Sequence, residues 1–209
     1  PALEQPNRAS AVLALRALVT LVSIYEGLGL RSLFARTFDA LLDTELVEGA
    51  PPAALATAWR ERGRVVSRSQ PELMWSCTAR SLAIAREHGL DEQFAWAMFR
   101  ALPITADRSD LPARDALIWE ARQRFSQPED RDWRAVATCL LVSFQKIQDS
   151  EPGVLDETIA DLVATSKVSK RPAVLAQIHW ALGVHHVVHG DLMSSQQQFL
   201  RVVELYEET

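Results

Sequence analysis

Signals that start a helix recur along this chain at a nearly constant distance. The 3.6-residue periodicity of apolar side chains places the first helices of successive helix pairs at about residues 52, 91, 130 and 171, separations of 39, 39 and about 41. A recurrence of that size marks helix pairs that cannot bury their apolar faces alone and must stack on one another. The expected fold is therefore all-α: a right-handed α-solenoid of about five helix-turn-helix repeats. Its roughly ten antiparallel helices would form one continuous domain over residues 1–209. No stretch alternates apolar and polar residues as a strand would, and no Asn-Gly hairpin signal occurs.

The helices are expected at 8–27, 31–47, 52–68, 71–88, 91–102, 111–125, 130–148, 153–167, 171–189 and 191–207. Gly29, Gly49 with Pro51 and Pro52, Pro71, Gly89, Pro103, Pro112, Pro128, Pro152 with Gly153, Pro172 and Gly190 separate them. Ser-Gln-Pro-Glu occurs at both 69–72 and 126–129. In each copy the Ser is placed to cap a helix and the Glu to reach back, a capping box. Proline in the first turn costs little, because its missing N–H has no partner there anyway.

Composition narrows the function. The net charge of −5 lacks the basic footprint of a general nucleic-acid binder. Lysine occurs only at 146, 167 and 170, and with abundant arginine and alanine this points to a GC-rich bacterial genome. Cys77 and Cys139 are too few for a zinc ligand set or a disulfide framework, and read as small buried hydrophobes. No apolar run approaches the ~18–20 residues that span a bilayer. Pro1-Ala2-Leu3-Glu4 begins no signal peptide, and the chain lacks an initiating Met. The expectation is a cytoplasmic fragment of a larger protein.

The last pair, 176–209, carries a resemblance. Leu182-Gly183, Gly190, Ser195 and Phe199 fall where the tetratricopeptide repeat places its Leu-Gly, turn Gly, small residue and aromatic; His186 stands for the usual Tyr and Val202 for the usual Ala. The resemblance implies that Gly183 and Ser195 let the two helices approach, and that Phe199 fills the space between one pair and the next. The first pair is a weaker match through Leu21, Tyr25, Gly29 and Phe38, with Val22 and Phe34 at the small-residue places. In the second, Trp59 and Gly63 fit; in the third, Ala101 is a candidate contact position. With its period near 40, Arg80-Ser-Leu-Ala-Ile-Ala-Arg-Glu-His-Gly-Leu-Asp91 is similar to the long-repeat arrays of bacterial signal-transduction ATPases. Those include large LuxR-type regulators resembling the maltose regulator, and cyclase-linked ATPases. His179–Gly183, His189–Leu192 and Glu204–Tyr206 share that style. The resemblance implies an array that senses a small molecule or protein for an attached ATPase and output module.

In such repeats the first helix of each pair forms the concave wall. With Gly63 as register, that wall carries Arg60, Arg64, Ser67 and Arg68, which puts three arginines on one helical stripe. Either Glu61, Glu72 or acids of neighbouring helices neutralise them, or an acidic or phosphate-bearing ligand does. In the last pair the wall carries Gln177, Trp180, Val184, Val187 and Val188. The Trp180 indole is suited to stacking on a sugar ring or peptide side chain, or to packing against a further repeat. Neither wall has the Lys and Asn set with which chaperone-adaptor repeats hold a peptide carboxylate. His185 and His189, four apart, supply half a metal site and no third ligand. Glu129, Asp130 and Asp132 read as negative charge at a helix start rather than as paired catalytic acids. No nucleophile, base and orienter assemble.

The expected function is thus a non-catalytic regulatory (sensor) domain without metal or cofactor, for a protein, a peptide, or a small anionic or sugar-like effector. Direct contact with nucleic acid or membrane is not expected. The alternative is a protein–protein assembly scaffold without a small-molecule ligand, binding another protein or itself through the ends of the array, with Leu200, Val203 and Leu205 on the outer face.

Overall fold

A computed structural model describes residues 8–27, 30–43, 47, 49–66, 70–107, 110–143 and 153–207. Among them lie ten α-helices and no strand. Two compact units are present, Pro1–Ile104 and Thr105–Thr209. The first contains α1 (Arg8–Gly27), α2 (Arg31–Leu42), α3 (Pro52–Val65), α4 (Pro71–Glu87) and most of α5 (Asp91–Asp107). The second contains α6 (Leu111–Arg124), a 3-10 turn (Pro128–Asp130), α7 (Arg131–Ser143), α8 (Val154–Ser166), α9 (Pro172–Val188) and α10 (Leu192–Glu207). First helices start at 52, 91, 131 and 172, so the spacing expected from the sequence is present to within a residue.

The punctuation works through chemistry the sequence carries. Pro52, Pro71 and Pro172 each occupy the first turn of their helix. Asp110 and Asp191 cap helix starts, accepting from the backbone N–H of Ala113 (3.2 Å) and Ser194 (3.0 Å). Gly89 and Gly190 take left-handed backbone (φ 63° and 78°) and end α4 and α9 identically. The next residue's N–H reaches back five positions, Leu90 to the Ala85 carbonyl and Asp191 to that of His186, both at 2.9 Å.

Four expectations are corrected. Pro103 does not break α5, which runs on to Asp107. Its ring removes the donor that would bond the Phe99 carbonyl, but Ala101, Leu102 and Ile104 are buried around it and hold the helix. Ser126 does not form a capping box: its hydroxyl accepts from Gln127 Nε2 (3.4 Å), and Gln127, at the cap position, makes no side-chain cap bond. The matching Ser69 lies outside the described residues. Helix α2 stops at Leu42, and α3 at Val65, where Val66 turns extended. Leu205 is 3% exposed and belongs to the interior, not the outer face.

Packing follows the pair logic within each unit. In the first, α1 contacts both α2 and α3, α2 contacts α3, and α3 contacts α4; in the second, α7 contacts α8 and α9, and α9 contacts α10. First helices thus touch first helices, as stacked pairs require. Leu15, Val22, Phe34, Phe38, Leu42, Ala58 and Val65 form the core of the first unit. Phe34 and Phe38 meet edge to face at 6.4 Å. Arg62 grips Asp39 with both nitrogens of its fork, fastening α3 to α2 (Nη2–Oδ2 2.9 Å). In the second unit Arg134 does the same to Asp161, fastening α7 to α8 at 2.9 and 2.8 Å. This pairing raises the guanidinium pKa above its ordinary value. Gly183 sits against Phe199: a Cβ there would lie 2.8 Å from ring Cε1 and 3.0 Å from Cδ1 and Cζ. The ring therefore fills space between the two helices of its own pair.

Candidate functional site

The first helices of the first unit, α1, α3 and α5, share a shallow cleft of about 310 Å³. From α1 come Leu15, Arg16 and Thr20; from α3, Ala53 and Thr57; from α5, Gln93. On α3, residues 53, 57, 60 and 64 follow one another at helical spacing, so Arg60 and Arg64 continue the wall that Ala53 and Thr57 begin. The cleft has an apolar side (Leu15, Ala53) and exposed polar groups (Arg16, Thr20) along its margin.

Beside it the two arginines share a carboxylate. Glu61 Oε1 accepts from Arg60 Nε at 3.0 Å and lies 2.9 Å from its Nη2, while Glu61 Oε2 lies 3.1 Å from Arg64 Nη1. The Glu61 side chain is 6% exposed and the Arg60 and Arg64 side chains are each 16% exposed, so one nearly buried acid serves two partly buried bases. Glu61, one of the acids the sequence offered, is thus paired with both Arg60 and Arg64. The Arg60 guanidinium also lies 5.9 Å from the centre of the Trp96 ring on α5. Arg68 and Ser67 fall outside the described residues.

In the second unit, Gln177 and Trp180 are half-buried on α9. Val187 and Val188 stand exposed at the end of that helix. His179 Nδ1 meets Gln198 Oε1 at 2.7 Å, joining α9 to α10 beside Trp180. At the helix starts, Arg171 lies 4.5 Å from the Trp133 ring centre and 3.3 Å from Asp132. The histidines gather at the end of α9: the His185 and His189 rings are 4.3 Å apart, and His186 lies 3.5 Å from Asp191. Burial, then the neighbouring His189 and His186, lower the His185 pKa. Among the described residues no group of three or more His, Cys, Asp and Glu is placed to hold a metal ion. Nor is any helix among them long and apolar enough to cross a membrane. Burial raises the thiol pKa of both Cys77 and Cys139, which keeps them protonated.

Gln93 and Trp96 were not found by sequence reasoning, yet the signal was there. Advancing Ala54 and Thr57 by the 39-residue period lands on these two positions. Arg171 over Trp133 had no such signal, because it joins side chains from different repeats. Comparison of the chain with family models, with curated proteins and with solved structures finds no match in any of the three. The repeat-like, all-helical organisation therefore stands on the chain's own geometry.

Proposed function

We propose that this chain is a non-catalytic binding module whose first-helix wall in the first unit, around Thr57, Arg60, Arg64 and Gln93, takes a segment of a protein partner or a small anionic effector. The observation that carries this reading is the cleft built jointly by α1, α3 and α5, with the Arg60–Glu61–Arg64 group and Trp96 alongside. Three separate helices contribute to one concave surface, and polar side chains stand at its margin over an apolar side, the usual make-up of a recognition surface. A sensor role in a cytoplasmic bacterial signalling or transcription-regulating ATPase is the finer form of this proposal, and it rests on the sequence resemblance alone. An affinity-capture and thermal-shift screen of the intact chain against its Arg16→Glu/Thr57→Arg variant tests it. Partners or metabolites that bind the parent chain and not the variant support the reading; equal behaviour of the two across both panels refutes it.

A second reading, an assembly scaffold, is favoured by one specific observation. Met193, Leu200 and Val203 form an exposed apolar stripe along α10, 53–70% accessible, with Leu192 and Tyr206 beside it. Light scattering over a hundredfold concentration range distinguishes the two: a strict monomer removes the scaffold reading.

A further inference from the structure

The opposite face of α3 borders a larger cleft, of about 540 Å³. Its α3 residues are Pro52, Leu55 and Trp59. At about 100° per residue these point away from the 53, 57, 60, 64 face, so the two clefts are separated by the body of α3. The interior of the larger one is apolar, built from Leu42, Leu55, Trp59 and Ile84, with Val47 and Ala50 buried behind. Nothing in the sequence reading assigned a role to it.

Its rim is electrically asymmetric. Pro52 in the first turn of α3 lines the same end as Glu87 and His88 at the end of α4, so the two helices run antiparallel there. Asp43, the C-cap of α2, joins them. Asp43, Glu87 and the carbonyl-bearing C-termini of α2 and α4 therefore line one end, against the single N-terminus of α3; His88 Nε2 lies 4.0 Å from Glu87 Oε1 at this exposed rim. Arg80 stands seven residues before Glu87, about 10 Å along the helix, and makes the other end cationic. Ile84 lies between them on the same face of α4.

The geometry points to a binding site for a primary amine carried on an apolar ring or chain. The ammonium sits between Asp43 and Glu87, and the apolar body lies over Leu55, Trp59 and Ile84. A volume of 540 Å³ is in the range of small-molecule pockets. Arg80 adds selectivity: a diamine long enough to span the cleft would bring its second cation onto the guanidinium, so a monoamine is preferred.

The test uses three probes on the whole chain: 4-phenylbutylamine, its anionic counterpart 4-phenylbutyrate with the same phenylalkyl body, and the linear diamine 1,8-diaminooctane, with octylamine as its monoamine control. Binding is read from the Trp59 indole N–H resonance, assigned with a Trp59→Phe variant. The amine is expected to shift that resonance saturably and to bind best of the three. Asp43→Asn/Glu87→Gln should weaken it about five-fold, as two solvent-screened ion pairs allow. Arg80→Gln should leave the monoamine unchanged and strengthen the diamine. Both carboxylates are at the exposed rim, so these variants are expected to fold, which the indole spectrum itself reports. Phenylbutyrate binding as well as the amine, no saturable shift at millimolar probe, or an unchanged affinity in the double variant would each overturn the assignment.

Discussion

Replacing Gly183 by alanine sets two known effects against each other. Alanine in a helix interior is worth about 1 kcal/mol over glycine. Here its methyl would arrive 2.8–3.0 Å from three atoms of the Phe199 ring, closer than carbon atoms pack. Overpacking of that kind costs about 1–3 kcal/mol, because the ring must leave its place against α9. The net expectation is a loss of about 1 kcal/mol. Removing the ring first reverses the sign: in a Phe199→Ala background the methyl enters free space, and Gly183→Ala should stabilise by about 1 kcal/mol. The coupling between the two positions is then about 2 kcal/mol, well above the few tenths expected of independent sites. Hydrogen exchange of the α9 and α10 amides across the four proteins of the cycle measures it locally, without requiring the whole chain to unfold as one. An effect of Gly183→Ala that has the same sign and size in both backgrounds would refute the idea that this glycine exists to admit the ring.

Three further outcomes are expected. Asp39→Asn leaves the nearly buried Arg62 (5% exposed) without its carboxylate and should cost about 1–2 kcal/mol in urea unfolding; half the Asp39 side chain is exposed, which keeps the loss below that of a fully buried pair. Arg114→Met should be neutral or stabilising by the same assay: the side chain is 1% exposed, Nη1 has no hydrogen-bond partner, and Asp115, which Nε and Nη2 meet at 2.9 and 2.8 Å, is 60% exposed and stays solvated without it. His185, whose pKa is lowered in the fold, stays neutral while the unfolded chain takes up a proton, so it should make stability fall as pH drops below about 6.5 and level off below its folded pKa. A His185→Gln variant should show a shallower decline between pH 7 and 5 in pH-dependent melting, and an identical slope would count against this assignment.

Much of the architecture was legible because its signals are local. Proline fixes φ wherever it stands, so Pro52, Pro71 and Pro172 mark helix starts in any tertiary setting. Gly89 and Gly190 likewise mark ends, since left-handed backbone is costly for other residues. Pro103 misled because the cost of a mid-helix proline is finite and buried neighbours can outweigh it. Leu205 misled because periodicity defines a face without saying which way it points, and α10 carries apolar residues on two. The wall was partly readable: Arg60 and Arg64 lie on it, and the repeat period leads to Gln93 and Trp96. The pairing that sets their chemistry was half readable, since Glu61 is adjacent in sequence. The Arg62–Asp39 clamp spans 23 positions and needs the fold to bring its ends together.

Helix α3 separates two clefts with little more than its own thickness. Residues 57 and 59 are neighbours in the chain and lie on opposite sides of this partition. A rigid rod between two sites cannot shift for one and stay still for the other. If an occupant of either side moves α3 by even a fraction of an ångström, affinity on the other side changes. Thermodynamic reciprocity then requires the same factor in both directions.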